Sequence, residues 1–225
     1  MKTLKELYVK YRHGIPLLIY MPLYLTWFAW LEERNRRDYS IIHVAADDYI
    51  PFCEIFVIPY FLWFAYVAVT VVFFFFFKNR QDFYKCCAFL FTGMTIFLII
   101  STLWPNGHHL RLAQMPRDNI FTQAVTLLWG IDTPTNLWPS IHVYNSIAIM
   151  IAVWRSKCFV NHRIVKTGMI ALGVSIIFST VLIKQHSMLD VLLALLLSAV
   201  MYSICYKKTT VREKRVSTAR NRVGE

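Results

Sequence analysis

The sequence predicts an all-α membrane protein, a six-transmembrane-helix bundle with one further short helix. Hydrophobic residues make up 57% of the 225-residue chain, and the mean hydropathy is +0.46, more apolar than ordinary soluble domains. Several apolar runs approach the roughly 20 residues that a helix needs to cross a bilayer. The polar stretches are too short to build a second core. Residues 1–225 are therefore predicted to form a single membrane domain, with its core at 15–206.

The six predicted spans follow the apolar runs in chain order. The first apolar run has no small-residue cleavage pattern behind it, which indicates a retained anchor rather than a signal peptide. The segment 120–130, in the 105–138 loop, is apolar but short, which is typical of an interfacial or re-entrant helix. The spans are 15–31, 52–77, 83–104, 139–155, 164–183 and 187–206.

The distribution of charge predicts the orientation of the bundle. Most of the 24 Lys and Arg residues fall on the face that carries both termini, including the basic tail at 207–225. The positive-inside rule then makes this face cytoplasmic and puts the 105–138 loop outside. The net charge of +11 is interpreted as a topology signal with attraction to anionic lipid, and not as a nucleic-acid site. Short connections fit a bacterial inner membrane; an endomembrane with a lumenal site is the alternative.

Neither the cysteines nor the carboxylates predict a metal or cofactor site. The five cysteines form no C-x-x-C pair, and most lie in or near apolar runs, so neither a disulfide framework nor a zinc site is expected. No carboxylate cluster is suited to Mg²⁺. The neighbouring acids Asp47 and Asp48 are expected to lie in a solvated loop rather than to contact a substrate headgroup.

Two histidines on the predicted outer face have the spacing of a reactive site. His186 and Asp190 are four residues apart, so on a helix they share a face, and the carboxylate can fix the tautomer of the imidazole. Ser140 and His142 open the fourth predicted span, where a helix N-terminus attracts phosphate. His142 lies in that first turn and can pass a proton to a bound ester.

Three cations on the same face could neutralise a phosphate. Arg111 and Arg117 lie in the 105–138 loop, and Lys184 precedes His186 by two residues. Each residue alone has an ordinary explanation, such as an interfacial histidine, a helix cap or a solvated arginine. Together they are the groups that phosphoryl transfer through a histidine requires.

The spacing of these residues resembles a known family. Pro139-Ser140-x-His142, followed by Ser179-x6-His186-x3-Asp190, is similar to the second and third motifs of the integral-membrane phosphatidic acid phosphatase type 2 superfamily. The six-helix plan is also similar, over residues 15–206. The resemblance implies a membrane lipid phosphate as substrate and metal-independent chemistry.

The resemblance also implies a role for each candidate residue. His186 attacks phosphorus, Asp190 orients it, and His142 protonates the departing oxygen. Phosphate oxygens are then held by a further group of residues, of which the last two are weaker candidates: Arg111, Lys184, Ser140, Arg117 and Asn145.

Departures from the family motifs leave the acceptor open. Leu112 stands where the first motif has proline, Trp104 where it has lysine, and Thr180 where the third motif has arginine; Lys184 lies one turn later. Such motifs resemble the branch that includes inositol phosphorylceramide synthase and sphingomyelin synthase. Hydrolysis of a lipid phosphate monoester is the preferred hypothesis. The alternatives are transfer of a phospho-headgroup to a lipid alcohol, and a non-catalytic transporter or degenerate relative.

Overall fold

The computed structural model describes residues 4–34, 39–76 and 80–207, and most of these residues are helical. Residues 208–225 of the predicted basic tail lie outside this range. Short 3₁₀ helices occur at Arg12–Gly14, Glu54–Phe56 and Lys157–Phe159, and a π-helix at Ser203–Lys207. Two-residue strands β1 (Ser40–Ile41) and β2 (Asn106–Gly107) pair in parallel. The α-helices are α1 Leu4–Tyr11, α2 Ile15–Glu33, α3 Ala45–Tyr49, α4 Val57–Phe76, α5 Arg80–Leu103, α6 Ile120–Ile131, α7 Ile141–Arg155, α8 Arg163–Leu182 and α9 Met188–Tyr202.

In the described part of the chain, five helical segments are long and apolar enough to cross a membrane. They confirm the prediction of a helical membrane protein. Helix α7, predicted as the fourth span, has 15 residues and is about 22 Å long at ~1.5 Å per residue, shorter than a ~30 Å hydrocarbon layer. Helix length therefore supports five spans, and the sixth stays a prediction. The five segments are Leu4–Glu33, Glu54–Phe76, Arg80–Leu103, Arg163–Leu182 and Met188–Tyr206.

Helix α7 lies at the centre of the bundle, where it packs against α4, α5, α8 and α9. Nine of its 15 residues are buried. Gly93 of α5 permits the close approach, because a Cβ at that position would lie 2.0 Å from Cε1 of Tyr144. The Tyr144 hydroxyl also donates a hydrogen bond to the carbonyl of Phe89 at 2.8 Å. These contacts fix the position of α7 and, with it, the position of His142.

The turn between α8 and α9 is tight because α8 ends in a Schellman motif. The Gln185 N–H donates to Thr180 O at 2.9 Å, and the Lys184 N–H donates to Val181 O at 3.2 Å. Lys184 occupies the left-handed position of this motif, with φ 56°, where glycine is usual. Helix α9 starts four residues later, at Met188, so His186 is confined to this turn.

Helix α9 begins with a capping box. The Ser187 side chain accepts from the Leu189 N–H at 3.2 Å, and Oδ2 of Asp190 accepts from the Ser187 N–H at 2.9 Å. Asp190 therefore has a structural role at the helix N-terminus in addition to any role toward His186.

Candidate functional site

His186 and Asp190 form a buried pair in the α8–α9 turn. Nδ1 of His186 lies 3.0 Å from Oδ2 of Asp190, and the two side chains are 7% and 0% exposed. Because an ionised carboxylate can only accept, Nδ1 is the donor, and in the neutral ring Nε2 then carries the lone pair. No described residue forms a hydrogen bond to Nε2 of His186. The pair therefore has the form of an oriented base or nucleophile.

His142 of α7 faces this pair. Its ring centroid lies 5.6 Å from that of His186, close enough for both rings to reach one phosphoryl group. The other sides of the His142 ring pack on Tyr60 and Trp63, with centroids 4.6 and 4.3 Å away. Nδ1 of His142 is buried and has no hydrogen-bond partner among the described residues. The fold thus brings together the two histidines that lie 44 positions apart in the sequence.

Ser140 connects the two histidine motifs and leaves helix donors available beside them. Its N–H donates to the backbone carbonyl of Asp190, and its hydroxyl accepts from the Val143 N–H, both at 3.4 Å. In the described part of the chain, the N–H groups of Ile141 and His142 have no hydrogen-bond partner. Free N–H groups at a helix N-terminus attract an anion, so the start of α7 can receive phosphate oxygens.

Arg111 reaches the residue before His186 but already has protein partners. Its guanidinium donates to Trp129 O at 2.8 Å, to Gln185 Oε1 at 2.6 Å and to Asp132 O. Burial lowers the pKa of Arg111, although an arginine keeps its charge in proteins. The side chain therefore joins the outer loop to the turn that carries His186.

Gln185 extends this hydrogen-bond network through Asp132 to Tyr60. Its Nε2 donates to Oδ2 of Asp132 at 2.9 Å, and the same oxygen accepts from the Tyr60 hydroxyl at 2.6 Å. Since Tyr60 also stacks on His142, a continuous set of contacts connects Arg111 with both histidines. Sequence reasoning missed Tyr60, Asp132 and Gln185, because contacts across 53 to 125 positions leave no periodic signal.

Lys184 is turned toward the loop that follows β1. Its ammonium donates to the carbonyls of Asp47 and Ile50, at 2.9 and 2.6 Å. Burial lowers the pKa of Lys184, and the nearby carboxylates of Asp47 and Asp48 oppose this shift. Thr180, at the position of the family's arginine, is fully buried and donates to Ile177 O at 2.8 Å.

The two weaker candidates occupy different surroundings. Arg117 forms two hydrogen bonds with Glu54, at 2.8 and 2.7 Å, and this contact raises its pKa. No hydrogen bond joins Arg117 to the histidines. Asn145 lies one helical turn after His142, is 1% exposed, and has a buried Oδ1 without a partner among the described residues.

Asp47 corrects one expectation from the sequence. It was expected in a solvated loop, but it is only 2% exposed and it accepts from the Ser187 hydroxyl at 2.6 Å and the Met188 N–H at 2.7 Å. The expectation fails because the loop folds onto the α8–α9 turn, where the Met188 N–H at the start of α9 donates to the carboxylate. Asp48 is exposed and contacts His43.

His108 joins the outer loop to the α8–α9 turn. Nδ1 accepts from the Leu110 N–H at 3.1 Å, so Nε2 is protonated and donates to Gln185 O at 2.8 Å. Burial lowers the pKa of His108 to about 4, with the backbone bond to Gln185 opposing the shift. A signal was present in the His108-His109-x-Arg111 cluster, but it did not distinguish a loop clamp from solvated residues.

The neutral state of His108 predicts a loss of stability in acid. The unfolded chain takes up a proton near pH 6.5 and the folded chain only near pH 4. Stability is therefore complete above pH 6.5 and falls by up to about 1.4 kcal/mol per pH unit toward pH 4. The measurement is the thermal midpoint in detergent micelles at several pH values, for the wild type and His108→Gln. The wild type should lose more stability; equal slopes would exclude His108 as the cause. The exposed His162→Gln is the control.

Among the described residues, no group of three or more His, Cys, Asp or Glu side chains is placed to hold a metal ion. Several oxygens and nitrogens of the site instead bond to one another, as between His186 and Asp190 and between Gln185 and Asp132.

Comparison with known proteins gives a family match for part of the chain. The model of the PAP2 superfamily matches residues 114–214, less than half of the chain, and this range contains α6 to α9 with His142, His186 and Asp190. No curated protein and no solved structure matches the chain. Members of the superfamily are generally phosphoric ester hydrolases or phosphotransferases. Residues 114–214 are thus similar to the PAP2 superfamily, and the five apolar helical segments indicate an integral membrane protein.

Proposed function

We propose that this protein is a metal-independent lipid phosphatase that acts through a phosphohistidine intermediate. The single observation that carries the proposal is the arrangement of the two histidines. His186 is bonded through Nδ1 to Asp190 and presents Nε2, and His142 lies 5.6 Å away between ring centroids. One ring can attack phosphorus while the other serves the oxygen that departs.

The reaction divides into two displacements. Nε2 of His186 forms a bond to phosphorus as the bond from phosphorus to the lipid oxygen breaks, and His142 protonates that oxygen. His142 then takes a proton from water, the oxygen of which attacks phosphorus. The P–N bond breaks, and phosphate and free His186 result. The N–H groups at the start of α7 can stabilise the charge on the phosphate oxygens.

A specific observation favours a second candidate, the transfer of a phospho-headgroup to a lipid alcohol. Arg111 and Lys184 already donate to three and two protein oxygens, and Thr180 replaces the family's arginine. Fewer free cationic donors favour a phosphodiester, with one negative charge, over a monoester with two. In this case the lipid alcohol takes the place of water in the second displacement.

A panel of lipids tests both candidates. Purified protein is incubated in mixed micelles with phosphatidic acid, an isoprenyl pyrophosphate, or a phosphodiester lipid together with a fluorescent lipid alcohol, all with a chelator. Release of inorganic phosphate supports the phosphatase. Label moved to the alcohol, with little phosphate released, supports the transferase. Neither product from any lipid would contradict both and favour a non-catalytic protein.

We also propose that α7 completes a six-span bundle and that α6 lies at the outer interface. Helix α7 contacts four other long helices, which supports a short span shielded from lipid. Helix α6 is 12 residues long, with exposed Ile120, Leu127 and Ile131, which supports an interfacial position. Cytoplasmic termini and a site on the outer face follow from the distribution of Lys and Arg.

Cysteine labelling tests the orientation. In a variant without its five native cysteines, Gln114→Cys lies in the exposed outer loop and Asn161→Cys in the exposed α7–α8 connection. A membrane-impermeant maleimide added to intact cells should label position 114 only. Cells with a permeable membrane should show labelling at both positions. Labelling of position 161 alone from outside would show that the topology is opposite to the proposed one.

A further inference from the structure

We propose that Asp47 is a positioning residue for His186. From the loop between the first two long helices, it holds the turn that presents the reactive imidazole. The inference rests on the function proposed above, because it takes His186 as the group that attacks phosphorus. It adds a residue that lies outside the 114–214 range of the family match and outside both histidine motifs.

Asp47 uses both carboxylate oxygens on the α8–α9 turn and its own loop. Oδ2 accepts from the Ser187 hydroxyl at 2.6 Å and from the Val44 N–H at 3.0 Å, and Oδ1 accepts from the Met188 N–H at 2.7 Å. The side chain is almost fully buried. A buried carboxylate is tolerated only when hydrogen bonds replace its hydration, and such charge-assisted bonds are about twice as strong as neutral ones. The loop and the turn are therefore firmly joined.

The contacts of Asp47 enclose His186 on both sides along the chain. Ser187 and Met188, which follow His186, bind the carboxylate, and Lys184, which precedes it, binds the backbone carbonyl of Asp47 at 2.9 Å. The Ser187 N–H donates to the same Asp190 oxygen that His186 uses. A shift of Ser187 would therefore move the acceptor that fixes the His186 tautomer. Asp47 controls the direction of Nε2 through this backbone.

Helix capping alone does not account for Asp47. Helix α9 already has its cap at Ser187 and a capping box with Asp190. By occupying the Met188 N–H, Asp47 also removes a donor that could bind phosphate at the start of α9. The free N–H groups at Ile141 and His142 then stand as the available helix donors, on the side of the site where His142 can deliver a proton.

The experiment compares Asp47→Asn with Asp48→Asn, which makes the same change of charge at the adjacent position. The Asp48 side chain is exposed, and it bonds to the exposed His43 rather than to the α8–α9 turn. With the best lipid substrate, Asp47→Asn should lower kcat by about 100-fold, as small misplacements of reacting groups do. KM should change by less than about 3-fold, because the groups that bind phosphate stay in place. Asp48→Asn should retain wild-type kcat. Equal kcat for all three proteins would overturn the proposal.

A stability comparator separates positioning from general destabilisation. Asp82 accepts from the Ser156 hydroxyl at 2.7 Å near the other end of the bundle, so Asp82→Asn also removes a carboxylate that joins two segments. Both variants should lower the thermal midpoint, but only Asp47→Asn should lower kcat. If Asp82→Asn lowered kcat as much at an equal loss of stability, the effect would be general and the proposal would be wrong.

A measurement that needs no turnover tests whether Asp47 fixes the His186 tautomer, independently of the proposed function. ¹⁵N NMR of histidine-labelled protein in micelles, with His186 assigned by His186→Asn, reports which ring nitrogen carries the proton. The wild type and Asp48→Asn should show a single Nδ1–H tautomer, and Asp47→Asn a mixture. If Asp47→Asn fails to fold, Ser187→Ala takes its place in this measurement. It removes one of the three donors to Asp47 and should give a smaller shift in the His186 tautomer populations than is expected for Asp47→Asn. An unchanged His186 tautomer in both Asp47→Asn and Ser187→Ala would overturn the proposal. Absence of wild-type turnover would contradict the proposed function only.

Discussion

Replacement of His186 by alanine is expected to abolish turnover of every lipid phosphate that the wild type accepts, with a loss in kcat of at least about 10³-fold. The reason is that, in the proposed mechanism, Nε2 of His186 is the atom that bonds to phosphorus. The α9 cap does not depend on this side chain, because Asp190 still accepts from the Ser187 N–H. The variant should therefore fold. The measurement is product formation on the lipid panel, with a thermal unfolding curve to verify folding.

Two controls sharpen this result. His162→Ala removes an exposed histidine at the opposite end of α8 and should leave kcat unchanged. Alkaline quenching in detergent during turnover of a ³²P-labelled lipid should trap an acid-labile, base-stable phosphoenzyme in the wild type and none in His186→Ala. Full turnover by His186→Ala would show that His186 is not the nucleophile.

Replacement of His142 by glutamine is expected to lower kcat on lipid phosphates by about 10²- to 10⁴-fold, the usual contribution of a general acid. Glutamine approximates the size of the imidazole that packs on Tyr60 and Trp63, so the packing of these two side chains should persist. A lipid alkoxide is a poor leaving group that requires a proton. p-Nitrophenolate is a weak base and departs without one.

The leaving group therefore distinguishes the two histidines. His142→Gln should hydrolyse p-nitrophenyl phosphate within about 10-fold of the wild type in the step that forms phosphohistidine, measured as the burst of p-nitrophenolate. His186→Ala should lose the burst with both kinds of substrate. An equally large loss on the aryl and alkyl substrates would exclude His142 as the acid and indicate a role in packing or phosphate binding.

The sequence by itself determined the class of protein, a helical membrane protein, and predicted the candidate residues of its site. Apolar runs of membrane length predict helices irrespective of their partners, because each run satisfies its backbone internally in lipid. The i, i+4 spacing of His186 and Asp190 predicted their contact on the assumption that both lie on one helix. The contact forms, but His186 lies in the turn before α9, and the local chain path of the capping box brings it to Asp190. The start of α7 at Ile141, with Ser140 as its cap, likewise follows from short-range capping chemistry.

Only the tertiary structure decided how those local pieces meet. The distance between His142 and His186 depends on the packing of α7 among four helices and on the close approach that Gly93 allows. Apart from Oε1 of Gln185, the partners of Arg111 and Lys184 are backbone carbonyls, and any residue type can supply a carbonyl. Asp47 looked like a solvated acid because its three donors, two of them backbone N–H groups, come from positions with no sequence signature. Long-range contacts of this kind depend on where loops fold, which no local spacing encodes.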